Sequence, residues 1–195
     1  MSTPRDDQPR SALAVAALGA VGFVVVLWVI EIIDALADHR LDQYGITPRT
    51  DEGLFGILAA PLLHGGWLHL EANTVPVLVL LFLLLLTGVA RGLAATAIIW
   101  LVAGVGVWLL APSHTIHLGA SSLIFGWLVY LMLRGIVNRK IGEIALGVLL
   151  FFLYGGVLLG VLPGEPGISW QGHLFGALGG ALAAVLLSER APTER

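Results

Sequence analysis

The chain of 195 residues is 57% hydrophobic and only 12% charged, with a formal net charge of −3 and no cysteine. Soluble domains carry about 25% charged residues, so this composition indicates an integral membrane protein. The scattered cations exclude a nucleic-acid-binding surface, which needs a basic stripe. The absence of cysteine excludes disulfides, thiol catalysis and thiolate metal sites.

Six apolar stretches are long enough to cross a bilayer, which requires roughly 20 residues. They lie near residues 11–36, 67–88, 92–111, 120–137, 142–162 and 171–188. We therefore predict an all-α polytopic membrane protein with a single membrane domain over residues 11–188. The polar head, 1–10, and the polar tail, 189–195, are too short to fold alone.

The first apolar stretch has an alternative interpretation as a cleaved signal peptide, because Ala35, Leu36 and Ala37 resemble a small-residue cleavage site. Its apolar core, from about Ser11 to Ile33, is longer than the roughly 7–15 residues of a signal-peptide core. We therefore expect a retained transmembrane helix.

Cations are unevenly distributed between the two ends of the predicted spans. Eight of the ten lysines and arginines precede the first span, follow the sixth, or lie after the second and fourth. Only Arg40 and Arg49 lie between the first and second spans. Cytoplasmic loops carry the excess of lysine and arginine, so we predict cytoplasmic N and C termini. The second, fourth and sixth spans then begin near the outer leaflet.

Three polar segments interrupt the apolar sequence, each at the start of one of these three spans. They are HGGWLHLEAN at 64–73, HLGASSLIF at 117–125 and WQGHLFG at 170–176. Polar side chains at membrane depth are costly and mark candidate functional positions. Because the segments share one depth, their side chains can converge.

Ser121 lies where the fourth span begins and has two interpretations. A serine at a helix start commonly caps the helix by accepting a backbone N–H. Alternatively, Ser121 is a nucleophile whose proton is taken by an imidazole, and His173 at the start of the sixth span is the candidate base. No carboxylate is positioned to complete a triad, so catalysis would use a Ser–His dyad.

The first polar segment offers hydrogen-bond donors for such a dyad. His69 and Asn73 are four residues apart and so lie on one helix face. Together with the Ser121 backbone N–H, their side chains suit an oxyanion hole. The alternative is an interhelical hydrogen-bond network without catalysis. His64 is expected to order the loop.

Small residues recur on the fourth and sixth spans. They are Gly119, Ser122 and Gly126 on the fourth, and Gly172, Gly176 and Gly180 on the sixth. Small residues at such spacing let two helix backbones approach closely in lipid. We therefore predict close packing of these two spans, which would bring Ser121 beside His173.

In order and spacing, these motifs resemble those of the rhomboid family of intramembrane serine proteases. Rhomboids carry a His-x4-His-x3-Asn pattern at one helix start, a Gly-x-Ser-Gly motif at a later one, and a His followed by small residues on the last core helix. The matching residues are His64, His69 and Asn73, then Gly119, Ala120 and Ser121, then His173 and Gly176. The resemblance covers nearly the whole chain and implies the basic six-helix rhomboid-like bundle.

The resemblance also implies the role of each residue. Ser121 would be the nucleophile and His173 its general base. The oxyanion hole would be formed by His69, Asn73 and the Ser121 backbone N–H. Supporting contacts would come from His64, Gly119, Phe125 and Gly176.

Two further positions bear on the resemblance. The residue after the nucleophile, glycine in the family, is Ser122, whose hydroxyl is a potential competitor for hydrogen bonds to Ser121 or His173. Phe125 is expected to stack on His173, as an aromatic residue does in relatives, but it lacks the hydroxyl of a tyrosine.

The predicted function is hydrolysis of peptide bonds in or near transmembrane segments of other membrane proteins, without a cofactor or metal. Its partners would be those substrates and the lipid bilayer, with no nucleic acid. We expect a bacterial plasma membrane and an active site near the outer face. One alternative is a catalytically inactive rhomboid-fold protein that binds transmembrane clients. The other is a metal handler or transporter that uses the histidines at positions 64, 69, 114, 117 and 173.

The connection between the first two spans, roughly 37–63, is long enough to need structure of its own. Its second half is semi-apolar and could lie in the membrane interface. We expect Leu54, Phe55, Ile57 and Leu58 to face lipid there.

Overall fold

The computed structural model describes residues 8–164 and 167–189, with side chains from Ser11 onward. Seven α-helices lie in these ranges: α1 (Gln8–Leu36), α2 (Asp51–Ala59), α3 (Trp67–Leu86), α4 (Val89–Leu110), α5 (Ser121–Asn138), α6 (Ile141–Tyr154) and α7 (Trp170–Leu186). Short 3-10 helices lie at Asp42–Tyr44, Ala60–Leu62 and Gly155–Val161. Most of the predicted polar head, and the tail from Arg190 onward, lie outside the described residues.

Five helical segments are long and apolar enough to cross a bilayer. They are α1, α3, α4, α5 and the continuous segment Ile141–Val161, in which α6 passes into a 3-10 helix. With 17 residues, α7 is at the short end of the roughly 17–25 residues that span a bilayer. Over its described residues the chain is therefore an all-helical, multi-pass membrane protein, as predicted. The six-span count, the domain limits 11–188 and the cytoplasmic termini stay predictions.

The connection between α1 and α3 contains the separate helix α2. Three apolar side chains of α2 are exposed, as expected for a helix in the membrane interface: Leu54, Phe55 and Leu58. Ile57 is different, because it is buried and packs against Gly104 of α4. The prediction that Ile57 faces lipid was therefore wrong: the missing side chain at Gly104 leaves room for Ile57 to turn inward.

Helices α5 and α7 are in backbone contact. A side chain on Gly176 would overlap the carbonyl oxygen of Ser122. One turn further along, a side chain on Gly180 would overlap the carbonyl oxygen of Gly126. The predicted close packing of the fourth and sixth spans is confirmed, and it holds the first turns of the two helices side by side.

Helix α1 packs along α3. The Trp28 indole N–H donates to the Thr74 hydroxyl at 3.0 Å, and the Trp28 and Trp67 rings lie 6.0 Å apart. Phe23 of α1 meets the edge of the buried Trp127 ring of α5, with 6.2 Å between centroids. These contacts make α1 part of the core rather than a loosely attached anchor.

A network of charged residues joins the helix ends opposite Ser121. Arg134 of α5 donates to Glu143 of α6 at 2.8 Å. Glu189, just after α7, accepts hydrogen bonds from Arg91 and Lys140. The network ties α4, α5, α6 and the end of α7 together, so the bundle is fixed at the end away from the candidate site.

Candidate active site

Ser121 and His173 are hydrogen bonded to each other. Ser121 is the first residue of α5, His173 lies in the first turn of α7, and Ser121 Oγ is 2.9 Å from His173 Nε2. The N-cap position of α5 is Ala120, and no side chain makes a capping hydrogen bond there. The alternative in which Ser121 caps the helix was therefore wrong, because its hydroxyl faces an imidazole.

The environment of His173 sets its tautomer. Its Nδ1 lies 3.0 Å from the carbonyl oxygen of Gly160. A carbonyl can only accept, so Nδ1 must carry the proton, and Nε2 is left to accept from the Ser121 hydroxyl. The Phe125 ring stacks on the imidazole at 4.0 Å between centroids and 9° between planes, which confirms the expected stacking. The Gly160 carbonyl and the Phe125 ring thus orient the His173 imidazole, as a carboxylate does in a catalytic triad.

Gly160 was missed by the sequence analysis. It lies in the 3-10 helix that extends α6, and a Cβ there would be 3.0 Å from the Phe125 ring and 3.1 Å from His173 Nδ1. Because its contribution is a main-chain carbonyl, no side-chain motif could have identified it.

Two further polar side chains, both on α3, lie in the same cavity as Ser121 and His173. The Gly65 N–H points at His69 Nδ1, at 3.4 Å, which leaves Nε2 of His69 as the protonated nitrogen. Asn73 donates one amide hydrogen to the His69 carbonyl oxygen at 2.8 Å and keeps a second for another acceptor. His69, Asn73, Ser121 and His173 all line one cavity of about 840 Å³.

Gly119 permits the close approach of His69 to the start of α5. Its φ is +117°, and a Cβ there would lie 2.6 Å from Cε1 and 2.7 Å from Nε2 of the His69 ring. Only glycine combines this backbone conformation with the space that the imidazole needs. The Gly119 N–H donates to the Ala60 carbonyl at 2.8 Å, which anchors the loop before Ser121.

His64 is buried behind the site rather than in it. Its Nε2 accepts the Ala120 N–H at 3.5 Å, and its ring meets the edge of the His69 ring at 5.1 Å. Burial, and secondly the charge of His69, lower the pKa of His64 from 6.5 to about 4. His64 is therefore neutral near pH 7, as an acceptor must be, and its contacts are those of a loop-ordering residue.

His117 links the loop before α5 to the start of α7. Its Nδ1 is 2.6 Å from Ser169 Oγ, and its Nε2 is 2.8 Å from Thr115 Oγ1. Ser169 in turn caps α7 by accepting the Gly172 N–H at 3.2 Å. His117 thus orders the loop, and its partner Ser169 was not identified from the sequence. His114 is exposed.

Ser122 does not compete for the dyad. Among the described residues, no hydrogen bond joins its hydroxyl to Ser121 or His173. The five histidines are also not grouped as metal ligands within the described parts of the chain: the one cluster with suitable spacing there is elsewhere, at Asp34, His39 and Asp42.

Comparison with known proteins identifies the family of this chain. The Rhomboid domain family matches residues 51–190, which include every residue of the site. The chain belongs to the rhomboid family. The resemblance predicted from the three polar segments is thereby confirmed, and rhomboid proteins are a family of intramembrane proteases.

Relatives of this rhomboid occur in several bacteria. An uncharacterized protein of Mycobacterium tuberculosis is 50% identical over 174 residues, covering 85% of this chain and 72% of that protein. An uncharacterized protein of Mycobacterium leprae is 46% identical, covering 85% and 69%. A Bacillus subtilis protein named "Putative rhomboid protease YdcA" is 30% identical over 131 residues, covering 66% and 65%. No solved structure shows a significant match.

Proposed function

We propose that this rhomboid is an intramembrane serine endopeptidase that cleaves other membrane proteins in or near their transmembrane segments. The observation that carries the proposal is the 2.9 Å hydrogen bond between Ser121 Oγ and His173 Nε2. The Gly160 carbonyl holds the imidazole in the tautomer that a general base needs. The dyad opens on a cavity of about 840 Å³, which is large enough for a segment of substrate chain.

In the first step Ser121 Oγ attacks the carbonyl carbon of the scissile peptide. His173 Nε2 takes the hydroxyl proton as the new C–O bond forms, and the carbonyl oxygen becomes an oxyanion. The resulting imidazolium keeps its Nδ1–H bonded to Gly160 and its ring stacked on Phe125. The carbonyl dipole and the ring face both stabilise that positive charge.

The oxyanion is stabilised by donors that already face the cavity. These are the His69 Nε2–H, the free amide hydrogen of Asn73 and the backbone N–H of Ser121, which is at the start of α5 and has no intrahelical acceptor. Donors that are fixed in place need little reorganisation as the charge develops. His69, Asn73 and the Ser121 N–H are thus assigned to the oxyanion hole.

The second half of the reaction uses the same groups in reverse. His173 donates its new proton to the leaving amine, which departs and leaves an acyl ester on Ser121. Water from the cavity then attacks the ester, with His173 again taking a proton. The serine is regenerated and a carboxylic acid is released.

The expected substrate is a transmembrane segment that unwinds easily. A helix in lipid hides its peptide bonds within its own hydrogen bonds, so it must open before Ser121 can reach a carbonyl. Small or helix-breaking residues near the cleavage site lower that cost. The distribution of lysine and arginine favours a site near the outer face of the membrane.

Purified protein in detergent or liposomes, with a model transmembrane substrate, tests the proposal. Ser121→Ala and His173→Ala should each reduce cleavage by about 10⁴-fold or more. A fluorophosphonate should label the wild type but not Ser121→Ala. Ser122→Ala is the matched control, because it removes a neighbouring hydroxyl outside the dyad, and it should keep both activities. Absence of labelling and cleavage in folded wild-type protein, with retained binding of the segment, would instead indicate an inactive client-binding rhomboid.

A further inference from the structure

The end of α1 carries a second group of polar side chains, independent of the proposed function, in which Asp34 is buried, Asp42 is half-buried and His39 is exposed. Potential metal-ligand atoms of Asp34, His39 and Asp42, one from each residue, all lie within 4.8 Å of one another. Asp34 is on the last turn of α1, His39 is in the loop that follows, and Asp42 opens the next 3-10 helix. The chain thus turns back on itself to place three potential ligands around one point.

Glu31 is a further buried carboxylate whose hydrogen-bonding partner is missing from the described part of the chain. It lies one turn before Asp34 on the same helix face, is only 1% exposed, and has no hydrogen-bond partner for either carboxylate oxygen among the described residues. Its carboxylate interacts electrostatically with Asp34, His39 and Asp42. We call these four residues the acidic cluster.

The rest of the acidic cluster is also incompletely paired. Asp34 is 1% exposed, and its Oδ1 accepts the Leu41 N–H at 2.6 Å, but among the described residues its Oδ2 has no hydrogen-bond partner and lies 3.5 Å from His39 Nδ1. A buried oxygen of Asp42 has no partner among the described residues either.

Among the described residues, no lysine or arginine compensates these carboxylates. The ion pairs between described residues include none that joins Glu31, Asp34 or Asp42 to a lysine or arginine. Buried carboxylates are normally paired or coordinated to a metal, because an isolated charge is costly away from water. A cation at the centre of the cluster, together with a bound water, would give each of the three carboxylates a partner.

We propose that the acidic cluster binds one divalent transition-metal ion, Zn²⁺ or Mn²⁺. The ligands are Asp34, His39 and Asp42, and Glu31 accepts a hydrogen bond from a water on the ion. Two ligands of one Zn²⁺ at 2.0–2.2 Å can be at most about 4.4 Å apart, so ligand atoms that already lie within 4.8 Å of one another need only a small movement to close around the ion. An imidazole with carboxylates suits Zn²⁺ or Mn²⁺ better than Ca²⁺ or Mg²⁺.

The position of the cluster suits a cation in three further ways. It is at the C-terminal end of α1, where the helix dipole favours positive charge. The His39 side chain is 48% exposed, so an ion has a path from solvent to the buried carboxylates. Asp38 and His39 also have positive φ values of 55° and 57°, and an ion bound to His39 would stabilise that turn.

Metal binding to the tag-free, EDTA-treated chain in detergent tests this site. Calorimetry and elemental analysis should find about one Zn²⁺ or Mn²⁺ per wild-type chain. Asp34→Asn and Asp42→Asn should weaken binding at least about tenfold. Asp34→Asn keeps an oxygen for the Leu41 N–H, which preserves the fold. Asp38→Asn, an exposed acid in the same loop, and Ser121→Ala should bind like the wild type.

A second readout requires no substitution. Arg40 is exposed in the loop that the ion would hold, so trypsin should cut after it at least about tenfold faster in EDTA than with metal. In Asp34→Asn the cleavage rate should not respond to EDTA. The proposal is overturned if the wild type shows no saturable binding of either ion up to about 1 mM. It is equally overturned if Asp34→Asn binds as tightly as the wild type, since the ion would then be held elsewhere, for example by histidines near Ser121.

Discussion

The dyad region and the acidic cluster both bury polar side chains at the same end of the bundle, yet they differ in how those side chains are paired. Around Ser121, both ring nitrogens of His173 have protein partners, and the Asn73 amide is anchored to a carbonyl. In the acidic cluster, both oxygens of Glu31 have none among the described residues. Buried groups paired by the protein itself are preorganised for chemistry, whereas unpaired ones imply a ligand from outside.

Among the predictions that leave Ser121 and His173 unchanged, Gly119→Ala should give the largest loss of kcat, because it disturbs the packing of His69 against the loop before Ser121. The new Cβ would collide with His69 and shift the loop that carries the Ser121 N–H, so two oxyanion donors move together. We expect kcat to fall by about 10³-fold or more. Gly66→Ala is the matched control, since Gly66 has a similar φ of +108° but nothing within 4 Å of a Cβ. Equal losses of kcat in the two variants would show that backbone strain, not the collision, matters.

Asn73→Ala should be the next largest effect. It removes one oxyanion donor and the bond to the His69 carbonyl, so we expect kcat to fall by about 10²–10³-fold with little change in KM. Glu71→Gln, on an exposed position of the same helix, should leave both constants unchanged. If Asn73→Ala changes only stability, the α3 polar residues form a structural network and the oxyanion role is wrong.

The contrast between the two regions also explains what the sequence could predict. Ser121, His173, His69 and Asn73 lie in spaced motifs at helix starts, and their shared membrane depth indicated that they could converge. Glycines at four-residue spacing likewise predicted the contact of α5 with α7. These features depend on local sequence pattern and on the geometry of the bilayer, so they can be predicted from the sequence alone.

Other features depend on tertiary contacts that leave no pattern. The Gly160 carbonyl is a main-chain group, and the inward turn of Ile57 depends on the space at Gly104. The acidic cluster combines two residues on α1 with two in a loop, and it arises only when that loop folds back. Its members were visible as charges in the sequence, but their burial was not.

Gly176→Ala tests the backbone contact that keeps His173 beside Ser121. Its Cβ would overlap the Ser122 carbonyl, and neither backbone can move independently of its helix. We expect the free energy of unfolding to fall by about 3 kcal/mol, the upper end of overpacking costs. Gly142→Ala on α6, where nothing lies within 4 Å, should be neutral or stabilising. Denaturation in mixed micelles measures the free energy of unfolding of both variants. Equal changes in the two would contradict the proposed effect of the backbone contact.

His64 predicts a pH dependence on the dyad side. Its pKa is about 4 in the folded protein and 6.5 as the unperturbed value, so between these values the unfolded chain binds more protons. Stability therefore rises with pH through this window and is lost on acidification. We expect the wild type to lose about 2 kcal/mol more than His64→Gln between pH 7.5 and pH 5. Parallel pH profiles for the two proteins would mean that His64 is accessible to protons when folded.

Glu31→Gln should give the smallest effect, with a sign opposite to that of the dyad-side variants. In EDTA, the change removes a charge that repels Asp34 and Asp42 and breaks no protein hydrogen bond, so the free energy of unfolding should rise by about 1 kcal/mol. With saturating Zn²⁺ or Mn²⁺ the gain should shrink or reverse, because the wild-type carboxylate then has a partner. Glu71→Gln should show neither response. A loss of stability in EDTA would mean that the protein already satisfies Glu31, and the difference between the two regions would vanish.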